Sequence, residues 1–582
     1  LNEISHAQLI RRAEGEPNAF WFKHALVQDT TYASLLRQDR KRLHRLVAET
    51  LERLNPERLD ELAPRLAEHF EEAGETARAL VYLERAAENA AARYANREAL
   101  GFYTRALDAA QALHTDTRDS LHRARGVVYE RVGRFDEACA DLETALRIAE
   151  QDGDTLAEWQ SLMDLGFAWT ARDYARAGEY FEKALDLARA SGDTARIAHS
   201  LNRVGNWYVN KDEPQRATVF HGEALEMFEA RDDARGLAET QDYLSMASWI
   251  GADYANAEKH ADTALALFES LGDPLAIANM RIVSYVKYAM LQGSTVAASA
   301  NVRPVRDDEI EVLQELRQLG WRAGEAFGLM VLGEAFAAYG DYARGLEWER
   351  EAAALAREIN HSQWLAGATM LYGEILAQLL NFERAQPYLE NALALARDLG
   401  SAHWVLMSSS FLACTLIAQN KLNAAQAILD AALTANPRAQ SVGQRQVWAA
   451  RVELSLAQHN TDAALEALDL LWRDSAQVTP DTVIPRLWLL RAQAMRQKND
   501  LARAERLLHA AHEQARHAQQ PGWEWRSAAA LAQLYRAQGR DDDAQDRANH
   551  AQAIVKRLSN PLSDTTLREN FLGRAMQMIW DA

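Results

Sequence analysis

An all-α array of helical hairpins is the fold this sequence predicts, and three observations predict it. Gly and Pro are sparse, 28 and 12 in 582 residues, Ala is abundant, and strand-type runs of Val, Ile and Thr are nearly absent. One turn signature recurs at nearly constant spacing. Two columns of small residues keep step with it.

The signature is a polar or Gly pair, an aromatic or apolar residue, two more residues, then Ala. It reads GRFDEA (Gly133 to Ala138), RDYARA (Arg172 to Ala177), ADYANA (Ala252 to Ala257) and GDYARG (Gly340 to Gly345). It continues as NFERA (Asn381 to Ala385), KLNAA (Lys421 to Ala425) and DLARA (Asp500 to Ala504), with variants ending at Ala217, Ala464 and Ala544. Last positions fall at 99, 138, 177, 217, 257, 297, 345, 385, 425, 464, 504 and 544, so ten of eleven gaps are 39 or 40 residues. The exception, 297 to 345, spans 48 and places eight extra residues near 293–309, a loop insertion expected to act as a lid or a hinge. Position 297 is extrapolated.

Seven residues after the turn Ala stands Ala again, as at Ala106, Ala145, Ala184, Ala224, Ala264, Ala352 and Ala392. Twelve before it stands a small residue, as at Gly126, Gly205, Ser245, Gly333, Gly373 and Ala413. Small residues at fixed offsets mark close helix crossings, where a larger side chain would push the axes apart. Each unit therefore reads as helix, tight turn, helix. Gly192 and Gly272 suit left-handed helix ends, Asp193 and Asp273 suit the caps that follow, and Pro274 suits a first helical position.

These residues resemble the tetratricopeptide repeat. Its pattern appears as Leu162, Leu165, Gly166, Trp169, Ala177 and Phe181, and again as Leu329, Leu332, Gly333 and Phe336. The period exceeds the usual one, as in long-helix varieties of regulatory proteins. The resemblance implies a superhelical solenoid of about 11–12 hairpins and a surface for binding rather than catalysis. It also implies that first helices line an inner groove, at 15, 11 and 8 or 7 residues before the turn Ala. Those positions give Met246, Trp249, Ile282, Val286, Met290, Met330, Glu334, Met370, Glu374, Ser410 and Cys414 as ligand-binding candidates, with Asp242, Asn206 and Asn210 nearby. Met suits adaptable apolar binding, so the expected ligand is an apolar small molecule or an amphipathic peptide helix, with Glu334 and Glu374 as polar anchors. Trp364, Trp404 and Trp523 share one column, and recurrence in register points to packing.

Residues 20–54 belong to no unit. Leu26, Tyr32, Leu35, Leu36, Leu43, Leu46, Val47 and Leu51 follow helical spacing. Phe22, Lys23, His24, Ala25, Leu26, Asp29, Tyr32 and Leu35, then Arg42, Leu43, His44 and Arg45, resemble the end of the winged-helix domain of bacterial STAND signalling ATPases. The terminal segment beginning LSDTTLRENFL is similar to theirs. The resemblance implies that His24 senses a nucleotide phosphate, although His24-Ala25 departs from the His-Asp of the family. It implies an upstream NTPase module that would hold ATP or ADP with Mg. A start at Leu1, inside a motif, suggests a piece of a longer protein. The domains expected are 1–55, winged-helix-like; 56–115, connecting helices and first repeat; 116–558, the solenoid; and 559–582, a cap. The function expected is the ligand-sensing arm of such an ATPase, the alternative being a constitutive interaction scaffold.

No cofactor is expected in this chain, and no catalytic residue, since no HExxH, GxSxG or GxxxxGK[ST] occurs. No metal is expected either: His509, His512 and His517 share one helix without an evident third ligand. A net charge of −19 repels phosphates, which weighs against nucleic acid as a partner. The basic run Arg37, Arg40, Lys41, Arg42 and Arg45 reads as a solvated or inter-domain helix face, the alternative being a winged-helix contact to DNA. No run of 18 apolar residues exists to span a membrane. Two distant cysteines, Cys139 and Cys414, and no signal peptide fit the cytoplasm.

Overall fold

The computed structural model describes residues 9–12, 20–114, 118–289, 293–296, 303–435, 438–474 and 481–580. Among the described residues the chain is all-α apart from one short strand pair, and it divides into two compact units: residues 1–128 with 144–152, and residues 129–143 with 153–582.

The first unit opens differently from the expected helical run. Ile10–Arg12 and Phe20–Phe22 pair antiparallel, with Arg11 opposite Trp21, because three consecutive aromatic residues favour a pleated strand. Helix begins only at Ala25 and breaks at Leu35 and Leu36, whose backbones are extended, before resuming as Arg37–Leu54. Arg37, Lys41, Arg42 and Arg45 of the basic run are exposed along that helix, and Arg40 is half-buried. Helices Leu59–Ala73, Thr76–Ala92 and Asn96–Leu113 follow and bury Leu66, Phe70, Leu83 and Ala106.

In the second unit the described helices alternate as hairpins, of the tetratricopeptide type, from Thr155–Thr170 to Asp541–Ser559. The turn alanines are buried, and the small column lies at helix crossings: a Cβ added to Gly205 would meet the His221 ring at 2.5 Å, and one on Gly373 would meet Leu389 at 2.9 Å. The joints form as their residues dictate. Gly192 and Gly272 take φ of 70° and 65°, and the Asp193 carboxylate accepts from the Ala195 and Arg196 amides.

Successive turns of this unit touch. The Gln363 amide donates to the Ala171 carbonyl at 3.2 Å, the Ser401 hydroxyl to the Asn210 carbonyl at 3.3 Å, and Ser441 to buried Asp212 at 2.7 Å. Further along, Arg384 pairs with Asp564 at 2.7 Å and Arg574 with Glu383 at 2.8 Å. The unit thus winds with turn packed on turn around an interior.

The long unit buries part of its lengthened connection. Helix Pro274–Ala289 is followed by a second helix of only nine residues, Glu311–Leu319; the extrapolated turn at 297 lies outside the described residues. Ser294, Thr295 and Val296 are buried. Arg445, fully buried, donates to the Thr295 carbonyl at 2.8 Å and to Leu471 and Ala439, while Arg486 donates to the Gly293 carbonyl at 3.1 Å. Residues 293–296 of the insertion therefore form an internal strut held by two arginines, while Pro304, Arg306 and Asp307 at its far end are exposed.

Candidate ligand-binding site

Two cavities open on the interior of the second unit. The first has a volume of about 460 Å³, within the range of small-molecule sites. First helices line it, as the period requires: Thr194–Asn210, Ala234–Ile250, Pro274–Ala289, Arg322–Ala338, Ser362–Gln378 and Ala402–Ala418.

Five of the predicted groove residues lie on this wall: Met246, Val286, Met330, Glu334 and Met370, together with Asn206, Asn210 and Asp242. Glu374 and Cys414 line the second cavity instead, of about 1110 Å³, where the Cys414 sulfur accepts from Arg486 at 3.4 Å. Three others do not reach either wall. Trp249 is fully buried against Tyr254, ring centroids 5.0 Å apart, because its offset turns it toward the second helix of its own hairpin. Ile282 packs beneath Gly328 in the next first helix. Ser410 is buried, its hydroxyl donating to the Met407 carbonyl at 2.8 Å. Met290 lies outside the described residues.

The wall carries aromatic faces that the groove register left out. Trp364 stacks on Phe327 at 4.8 Å and on His361 at 5.2 Å, and Trp404 lies beside His403. Gly367 makes the room: a Cβ there would stand 2.6 Å from the Met330 sulfur and 3.0 Å from the Trp404 ring. Trp364 and Trp404 pack as their shared column predicts, and they also face the first cavity, while Trp523 faces the second.

Charge on the first wall is unbalanced. It bears Glu130, Glu239, Asp242, Asp273 and Glu334 against Arg203 and Arg235. Arg235 pairs with Asp273 at 2.9 Å and lies 3.9 Å from Glu239. Arg203 lies over the Phe167 ring at 4.6 Å. Asp242 has one neutral donor, the Asn279 amide at 3.4 Å. Burial raises the Glu130 carboxyl to about 7 against the pull of Arg131 and Arg203, and burial with the charge of Glu239 raises Asp242 to about 7. Glu334 is held well above the usual carboxylate range by burial and then by Glu374. Burial lowers His361 to about 3, so its ring is neutral. Perturbed carboxyls gathered on a concave apolar wall single it out as the candidate site.

Comparisons with known proteins agree with the repeat. A tetratricopeptide repeat family model matches residues 124–152. No curated protein sequence matches the chain. Similar solved structures include the Rap conjugation gene regulator of the plasmid pLS20 in complex with the Phr* peptide, at 16% identity over 50% of this chain and 76% of that one, TM-score 0.42. Rap protein complexed with competence and sporulation factor is 12% identical over 77% of this chain and 100% of that one, TM-score 0.34. Yeast Tom70 is 13% identical over 80% and 96%, TM-score 0.31.

Outside the cavities, among the described residues, His512, Glu524 and His550 bring three metal-type donors within 4.8 Å of one another. His512 thus meets residues of two other helices rather than its helix neighbour His509, which bonds Tyr535 at 2.7 Å. His550 is hydrogen bonded to Glu524 at 3.0 Å. No helix among the described residues is long and apolar enough to cross a membrane.

Proposed function

We propose that this chain is a sensor whose first cavity binds a small, largely apolar ligand. The observation that supports it most is the concave wall of Met246, Met330, Met370, Trp364 and Trp404 around about 460 Å³. An amphipathic helix is disfavoured by size: two turns, at 10–12 Å across, occupy on the order of 1000 Å³. Because turn packs on turn around the cavity, a ligand that favours one winding over another shifts the equilibrium between them, and only by its differential affinity.

We also propose, on the resemblance of residues 20–45, that the chain is the regulatory arm of a STAND-type ATPase. Leu26, Leu36 and Leu46 are 76%, 73% and 58% exposed, an apolar surface suited to an adjoining module. His24 starts the helix Ala25–Ser34 with an exposed side chain that makes no cap bond. One exposed imidazole makes no nucleotide site by itself, so ATP or ADP with Mg would belong to the upstream module. A polypeptide carrying that module should hydrolyse ATP faster when the cavity is filled; the lack of a phosphate-binding loop upstream would sink this part.

The cavity is tested on this chain alone. 4-Phenylbutanol should bind one per chain by native mass spectrometry and quench tryptophan fluorescence. Asn206→Trp, which fills the cavity from a half-buried position, should abolish both and leave helicity and unfolding midpoint unchanged. Binding that survives Asn206→Trp places the ligand elsewhere. A scaffold without a ligand switch binds no such probe.

A further inference from the structure

Resting on the cavity reading just given, we infer that the ligand is an organic cation, a protonated amine carried on an apolar body. Wall charge carries this. Of the seven ionic groups, Arg235 is taken up by Asp273 and Glu239, and Arg203 faces Glu130 from over the Phe167 ring. That leaves Asp242 with one amide and Glu334 with nothing. Glu334 is 8% exposed, lines the cavity, and its carboxyl has no hydrogen-bond or ion-pair partner among the described residues. A carboxyl so buried loses its hydration and regains it only from a ligand that donates. An ammonium donates three times, and its attraction to a carboxylate is roughly twice that of a neutral pair. The aromatic faces of Trp364, Trp404 and Phe327 add attraction for the same charge. A carboxylate ligand would instead meet five acids with two committed arginines.

Binding then exchanges one cation for another. In the empty cavity Glu334 keeps its proton, because burial and Glu374 hold its pKa up. The ionisable groups facing it are Glu349 on Tyr342–Glu358, Glu374 on Ser362–Gln378 and Tyr254, and none is cationic. When R–NH3⁺ docks, the Glu334 O–H proton passes to solvent and the carboxylate remains with the ammonium. No bond in the ligand changes.

The test compares 4-phenylbutylammonium, 4-phenylbutanol and 4-phenylbutyrate, which share one body. Calorimetry is run on the full chain in two buffers of different ionisation enthalpy. The ammonium should bind at least about tenfold tighter than the alcohol, about 1.4 kcal/mol, and should release protons while the alcohol does not. Glu334→Gln should cut that preference below about threefold and abolish proton release while alcohol binding persists; Asp242→Asn should cut the preference in part. Alcohol and ammonium binding equally overturns the cation inference and leaves the cavity reading intact. The butyrate binding best overturns it too. If none of the three binds, both readings fail. If Glu334→Gln fails to fold, Asp242→Asn and the proton count in the unmodified chain decide the matter.

Discussion

Glu349 supplies the sharpest measurement. It is fully buried on the second helix of its hairpin, neither carboxyl oxygen meets a donor at bonding geometry, and one oxygen lies 2.8 Å from where a Cβ on Gly333 would stand. Burial first, then the charges of Glu334 and Glu374, hold its pKa well above the usual value. A carboxyl whose folded pKa is raised stabilises the fold fully below its unfolded pKa of about 4.3, and that contribution is lost as pH rises toward the folded value. The loss is about 1.4 kcal/mol per pH unit for as long as the folded carboxyl keeps its proton and the unfolded one does not. Glu349→Gln removes the titration. Urea unfolding of both proteins across that range, compared at equal slope, should show the variant gaining on the parent by that amount as pH rises. A difference that stays flat with pH would mean that Glu349 is ionised in the folded protein, and the assignment of a buried neutral acid would be refuted.

Other tests follow from the same geometry. Gly166→Ala sets a Cβ 2.4 Å from the Phe181 ring and should cost about 1–3 kcal/mol in unfolding free energy. Arg445→Met leaves the carbonyls of Thr295, Ala439 and Leu471 without their donor; hydrogen exchange at 293–296 should rise and stability should fall by about 1–3 kcal/mol. Removing the helix Thr565–Trp580 takes away Arg574, which donates to the Leu380 carbonyl and to Glu383. Exchange protection should then drop in Phe382–Leu399, some 190 residues away.

The repeat was legible because each of its columns has a local cause. A turn Ala is small where helix meets helix, and Gly192 takes the positive φ its sequence context predicts. The groove was legible in part. Met330 and Met370 sit 15 residues before the turn residue and Met246 sits 11 before it, and all three reach the wall, whereas Trp249, eight before it, rotates into its own hairpin. Glu130, Arg203 and His361 were missed because winding, not local pattern, assembles them. His361 comes beside Phe135 from more than two hundred residues away, ring centroids 5.5 Å apart. The strut was missed because nothing in GSTV signals burial; its carbonyls are held by arginines far along the chain.

Turn-on-turn packing also changes what kind of repeat array this is. Arrays whose units touch only their neighbours can gain or lose a unit and keep folding, because their energy is a sum along one dimension. Here Asp212 accepts a hydrogen bond from Ser441 and Asn210 one from Ser401, 229 and 191 residues apart. Deleting a single hairpin between such partners would put every pair out of phase at once. The chain is therefore frame-locked in units of helix pairs, and its folding must close loops of about two hundred residues, which slows it relative to an open array. The 48-residue unit obeys that lock. It lengthens one connection, buries residues 294–296 and keeps the alternation of first and second helices, so phase is kept while the interior is altered.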